Sequence, residues 1–86
     1  MEDQKIFTKF IEIISAYVKA APEALQSATR DTHIIQDLKV NSARLVDIII
    51  QAEDTFDIEI DDDDADAIRT IGDAVDVVRQ KMLAAA

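Results

Sequence analysis

Eighty-six residues make one small domain whose core has to be efficient, and one Gly, one Pro and 5 % aromatics argue for an all-α class, since an all-β chain needs turn residues at short intervals. Nine basic against 18 acidic residues leave a net charge of −9, which disfavours nucleic acid and anionic membrane surfaces and favours basic protein partners. The absence of Cys excludes a disulfide framework and a thiolate metal site, so any thiol used in function has to be borrowed.

Met1-Glu2-Asp3 lacks a basic stretch with an apolar run behind it, and no segment has the length of a membrane span. This predicts a cytoplasmic protein without membrane insertion. From Asp3 to Lys19, Phe7, Ile11, Ile14 and Val18 form one helical stripe, and Ile6, Phe10, Ile13 and Tyr17 form the adjacent one. Together they predict a helix packed on two neighbours. Pro22 disfavours helical geometry at Ala21 and ends it at Ala20-Ala21-Pro22. Pro22 to Asn41 shows no sustained period and reads as a long loop, with a short helical turn near Glu23–Ser27. Leu25, Ile34, Ile35 and Leu38 are the side chains expected to hold it down.

The second long helix is predicted from Ser42 to Phe56, with Asn41 as its N-cap. Leu45, Ile49, Ala52 and Phe56 mark its inner face, flanked by Val46 and Ile48. Ile58 and Ile60 alternate with Glu59, as in an extended linker whose apolar side chains return to the core. Nine of the 18 acids fall between Glu53 and Asp66. Acids suit a first helical turn, so a short helix is expected near Asp62–Ile68. Thr70 followed by Asp73 resembles a capping box, and Ile71, Ala74, Val75 and Val78 give the stripe of a last helix. Arg79 and Lys81 suit its C-terminal end, and Ala84-Ala85-Ala86 is expected to fray.

Ser42 is the candidate functional residue. A serine opening a helix presents its hydroxyl outward, and the helix N-terminus favours an attached anion. In a chain so poor in reactive groups it is the best attachment point for chemistry supplied from outside. His33 has no evident partner in the sequence and is read as incidental.

The Asp37-Leu38 pair before Ser42, the Phe56-Asp57-Ile58-Glu59-Ile60 stretch, the acidic run and the Thr70-Ile71 entry to the last helix stand together from Ile34 to Val78. With this spacing the chain resembles the acyl carrier protein family. The resemblance implies a four-helix bundle with three long helices, one short helix and a long first loop, as one domain over residues 1–86. It implies 4′-phosphopantetheine attached to Ser42 by a phosphopantetheinyl transferase, using coenzyme A. The arm's thiol then carries acyl groups as thioesters between enzymes of fatty acid or lipid biosynthesis, so that the protein is a carrier and not an enzyme. It also implies an acyl path lined by Ile34, Ile49, Ala52, Ile60, Ala65, Ile68 and Ala74. Acids at Asp47, Glu53, Asp54, Asp62 and Asp66 would dock on basic patches of acyltransferase, ligase or synthase partners, the carrier itself being a monomer. Each exposed pair contributes about 0–1 kcal/mol, which suits a shuttle that must exchange partners.

The family signature is Asp-Ser-Leu with an upstream Gly; this chain has Asn41-Ser42-Ala43 and Lys39. Arg44 stands where an acid is common, and a cation in a first turn opposes the helix dipole. Asn41, Ala43 and Arg44 therefore point to a specialised carrier whose partner-reading surface has changed. Other readings stay open: an aminoacyl, peptidyl or polyketide carrier with the same arm, or a helical binding module that bears no arm. Asp61–Asp64 lacks the ligand spacing and the Gly of an EF-hand loop, so no metal site is expected there.

Overall fold

The computed structural model describes residues 3–17 and 22–85. Six helices follow in chain order: α1 Asp3–Tyr17, α2 Pro22–Gln26, α3 Ile34–Leu38, α4 Ser42–Phe56, α5 Asp62–Ala67 and α6 Ile71–Ala85. The fold is all-α, with three long helices and a short acidic one as expected. The first loop differs from a purely irregular connection, because α2 and α3 lie within it. The expected turn near Glu23–Ser27 is α2. A five-residue helix such as α3 is too short to display a 3.6-residue period, so periodicity does not announce it. Val18 and the expected stop at Ala20-Ala21 lie outside the described residues.

The core sits between α1, α4 and α6. Ile6, Phe10 and Ile14 of α1, Ile48 and Ala52 of α4, and Ile71, Ala74, Val75 and Val78 of α6 are all fully buried. Burying a side chain of this size contributes roughly 1.5–3 kcal/mol, and here that gain has to offset the backbone ordering cost of a small chain. The linker after α4 behaves as its alternation predicts, with Ile58 and Ile60 buried around an exposed Glu59. Two apolar residues assigned inward by the sequence point outward instead: Ile35 is 38 % exposed and Val46 is 54 % exposed. Each sits one position off its helix's buried stripe, beside Ile34 and Leu45 respectively.

The first loop is strapped to the start of α6 by backbone hydrogen bonds. The Ile71 N–H donates to the Thr32 carbonyl at 3.0 Å, Gly72 N–H to Arg30 carbonyl at 2.9 Å, and Ile34 N–H to Arg69 carbonyl at 3.0 Å. Two donors at the N-terminus of α6 are thereby satisfied by loop carbonyls. Gly72 makes this approach feasible, since a Cβ there would lie 2.9 Å from the Arg30 oxygen and 3.0 Å from its Cβ. The Thr70–Asp73 capping box forms as expected: Thr70 Oγ1 accepts from the Asp73 N–H at 3.1 Å, and Asp73 Oδ2 accepts from the Thr70 N–H at 3.1 Å. The N–H groups of Thr70 and Arg69 hold the Asp73 carboxyl below the usual carboxylate range despite its partial burial.

The cations placed by the sequence at the C-terminal end of α6 do other work. Arg79 bridges Asp3 at 2.6 Å and Asp76 at 3.2 Å, and Asp76 also holds Arg30 of the loop at 2.8 Å. Lys81 Nζ lies 2.6 Å from Asp64 Oδ2 and ties α5 to α6. That oxygen is shielded from water and is satisfied by the ion pair rather than by a directed hydrogen bond. The last turn of α6 carries no base, and its helix continues through Ala84 and Ala85 where fraying was expected. Ala86 lies outside the described residues.

Candidate attachment site at Ser42

Two short structures aim the chain at Ser42. At α3, His33 Nδ1 accepts from the Gln36 N–H at 3.3 Å, and Asp37 Oδ2 accepts from the His33 N–H at 2.7 Å. Leu38 is buried, which roots the end of α3 in the core. This gives the Asp37-Leu38 pair its physical meaning: one residue closes the cap and the other anchors it. Lys39 then takes the left-handed conformation, φ 58° and ψ 38°, and reverses the chain toward α4. A side chain is unfavourable there by about 1–2 kcal/mol, which explains the Gly common at this position in the resemblance.

Asn41 is in extended backbone and caps α4, its Oδ1 accepting from the Arg44 N–H at 2.8 Å. The Leu45 N–H reaches the Asn41 carbonyl at 3.0 Å. Ser42 is the first residue of α4 and is exposed, and among the described residues its hydroxyl has no hydrogen-bond partner. The amides of Ser42 and Ala43 precede the first intrahelical bond, so they are available to an anion together with the helix dipole. Ala43 adds only a methyl group, also exposed. A phosphodiester on Ser42 Oγ fits these surroundings: the hydroxyl is accessible, the local donors are unspent, and no bulky neighbour covers it.

Ser42 opens onto a groove of about 530 Å³. Of the seven residues of the expected acyl path, Ile49, Ala65 and Ile68 line it. Ile34, Ala52, Ile60 and Ala74 do not; all four are buried in the packed core behind it. Ile35 and Val46, turned outward from their helices, complete the apolar wall.

The acids and their neighbours sort into two groups. Glu53 was placed on the surface by the sequence, yet its Oε2 accepts from the Ile60 N–H at 2.9 Å and fixes the linker after α4. Asp57 closes α4 with φ 55°, and the Ile58 N–H returns to the Glu53 carbonyl at 3.1 Å. Asp61 caps α5, its Oδ1 accepting from the Asp64 N–H at 2.8 Å. Asp54, Asp62 and Asp66 remain exposed, and Asp66 lies on the rim of the groove. Asp47 is paired with Arg44 at 3.4 Å, so the cation that opposes the dipole is partly compensated and Asp47 is partly neutralised. Sequence reasoning missed Glu53's linker role, the Asp64–Lys81 pair and the Gly72–Arg30 contact, because each joins segments whose spacing follows no helical period.

The profile of the family described as "Phosphopantetheine attachment site" matches residues 8–78. The chain is 35 % identical over 79 residues to an acyl carrier protein of Lactobacillus acidophilus, covering 92 % of this chain and 95 % of that one. It belongs to the acyl carrier protein family. An acyl carrier protein of Lactobacillus johnsonii is 33 % identical over 79 residues, covering 92 % of this chain and 95 % of the relative. A solved structure of the acyl carrier protein from Enterococcus faecalis superposes with a TM-score of 0.76 at 30 % identity, covering 94 % of this chain and 99 % of that one. Members of the family are carriers rather than enzymes, and their covalently attached cofactor is 4′-phosphopantetheine.

Proposed function

We propose that Ser42 is the attachment point of the 4′-phosphopantetheine arm, and that the arm carries acyl groups as thioesters between enzymes of fatty acid or lipid biosynthesis in the cytoplasm. The observation that supports this most is the exposed, unpartnered hydroxyl at the first position of α4, beside unspent amides and at the mouth of a groove. The bound arm supplies the thiol that a cysteine-free chain lacks. Residues 1–86 act as one carrier domain and as a monomer. No described helix is long and apolar enough to cross a membrane.

The partners are a phosphopantetheinyl transferase, then acyltransferase, ligase or synthase enzymes with basic docking patches. Of the five expected docking acids, Asp54, Asp62 and Asp66 are left free to meet them, while Asn41, Ala43, Arg44 and Asp47 form the surface around the serine. That surface is less acidic than its surroundings, since Asn41 caps without charge and Arg44 is paired with Asp47. This supports a specialised member rather than the general carrier of fatty acid synthesis. Incubation with coenzyme A and a broad-specificity transferase, followed by intact-mass measurement, tests the attachment. A gain of one phosphopantetheine that Ser42→Ala abolishes is the expected result. No gain removes the reading and leaves the unmodified binding module, and a gain that survives Ser42→Ala removes Ser42 as the attachment point.

A further inference from the structure

One wall of the groove is rich in hydrogen-bond donors that thioester transport does not require. Arg30, Arg44 and Arg79 each hold a carboxylate at 3.4 Å or less. Arg69, which lines the groove with Ser42, has no acid within ion-pair distance among the described residues. Its backbone N–H is occupied by Asp73, but its guanidinium is unassigned. His33 lies on the same wall. Its Nδ1 is used as an acceptor by the Gln36 N–H, so the neutral ring carries its proton on Nε2, which is free to donate. Gln36 contributes a side-chain amide. Asp66 is the one acid among the groove's lining residues, while the Asp73 carboxylate behind the wall feels the Arg69 charge and Asp37 holds the His33 N–H.

We propose that Arg69, assisted by His33 and Gln36, binds an oxyanion carried on the arm at Ser42, either the carboxylate of a dicarboxylic acyl group or the phosphodiester of the arm itself. A guanidinium presents a planar fork that matches both groups, and charge-assisted bonds of this kind are stronger than neutral ones. The rest of the groove, Ile49 and Ile68 among it, accepts the methylenes. A purely aliphatic chain gains nothing from the donor wall, whereas a chain ending in carboxylate does. The proposal rests on the carrier reading.

The test loads the full chain by transferase from coenzyme A, butyryl-coenzyme A and succinyl-coenzyme A. Loading is verified by intact mass. Thioester cleavage by hydroxylamine is then timed, with the ¹⁵Nε signal of Arg69 and the ³¹P signal of the arm recorded alongside. For a cargo carboxylate, succinyl cleavage is slower than butyryl cleavage by about two- to fivefold, the range of one exposed ionic contact, once each rate is divided by that of the free coenzyme A thioester, since the succinyl carboxylate can itself attack its thioester. Arg69→Gln, which keeps the backbone bond to Asp73, brings that ratio to one, and Asp66→Asn widens it. For the phosphodiester, the Arg69 signal moves on conversion to the holo form, is the same for every cargo, and the ³¹P shift changes in Arg69→Gln. A chain that loads normally but shows neither pattern overturns this proposal alone. A chain that takes no arm overturns the carrier reading with it.

Discussion

Replacing Gly72 by alanine puts a methyl group 2.9 Å from the carbonyl oxygen of Arg30 and 3.0 Å from its Cβ. The nearer atom is backbone, and it is held in place by the hydrogen bond it accepts from the Gly72 N–H itself. The loop can yield only by lengthening that bond and straining the neighbouring Ile71–Thr32 bond, each worth about 1 kcal/mol net. Overpacking of this kind costs about 1–3 kcal/mol. The opposing term is helix propensity, which favours Ala over Gly by at most about 1 kcal/mol and by less near a helix N-terminus. The steric term therefore wins, and the variant should lose about 1–2 kcal/mol, or roughly 5–15 °C in Tm for a chain of this size. Urea unfolding followed by far-UV circular dichroism measures the loss. Hydrogen exchange at the Ile34, Ile71 and Gly72 amides should accelerate ahead of the α1–α4–α6 core, because those bonds join the loop to α6. A variant that is more stable than the parent, with unchanged protection at those amides, would refute the claim that Gly72 exists for the close approach.

Lys39→Gly relieves a side chain held at φ 58° and should stabilise the fold by about 0.5–1 kcal/mol after Gly's larger unfolded-state entropy is subtracted; a loss in urea unfolding would show that the lysine side chain makes a compensating contact. Asp73 and Asp64 are both held below their ordinary value of 3.8, Asp73 by the N–H groups of Thr70 and Arg69 and Asp64 by Lys81. Their support is therefore present above 3.8 and is lost as pH falls through their lower folded values. Tm should fall as pH drops below 3.8, and Asp73→Asn should flatten that acid limb. Lys81 is raised by its bond to Asp64, so its support persists below 10.5 and is lost only as pH climbs through its higher folded value. Ala43→Leu with Arg44→Asp should increase turnover by general fatty acid synthase enzymes, read as loading and elongation rates; if the natural chain already works at full rate and the variant gains nothing, the specialised-carrier reading fails.

The long helices were legible because their information is periodic. Ser42–Phe56 was read with both ends in place, since Asn41 is a good cap and the Leu45–Ile49–Ala52–Phe56 stripe repeats at helical spacing. The capping box at Thr70 and Asp73 was legible for the same reason, being a signal contained in four residues. The first loop was not. Its order comes from Arg30 and Thr32 carbonyls meeting amides some 40 residues away, and neither partner's identity announces such a bond. Glu53 shows the limit on the site. Its type and its place on α4 match a docking acid, but whether a carboxylate faces a partner or turns seven residues onward to the Ile60 N–H depends on the path of the linker.

The division of the acids bears on how a chain with 18 of them can still discriminate among partners. If every carboxylate from Glu53 to Asp66 faced solvent, the field would attract any basic surface alike. Instead Glu53, Asp61 and Asp64 are drawn into the linker, a helix cap and an ion pair. Asp47 is paired with Arg44. The carboxylates of the Glu53–Asp66 stretch left without such a bond, Asp54, Asp57, Glu59, Asp62, Asp63 and Asp66, are all exposed and lie on α4, the linker and α5, past the opening turn of α4, which holds Ser42 and a cation. On the reading proposed above, a basic partner is attracted along α4 and α5 and meets Arg44, partly compensated by Asp47, at the opening turn. Attraction over the whole surface sets how fast encounters occur, while a like-charge contact at one place sets which encounters persist. On that same reading, discrimination resides in the turn that opens α4, where Asn41, Ala43 and Arg44 flank the serine proposed to carry the arm.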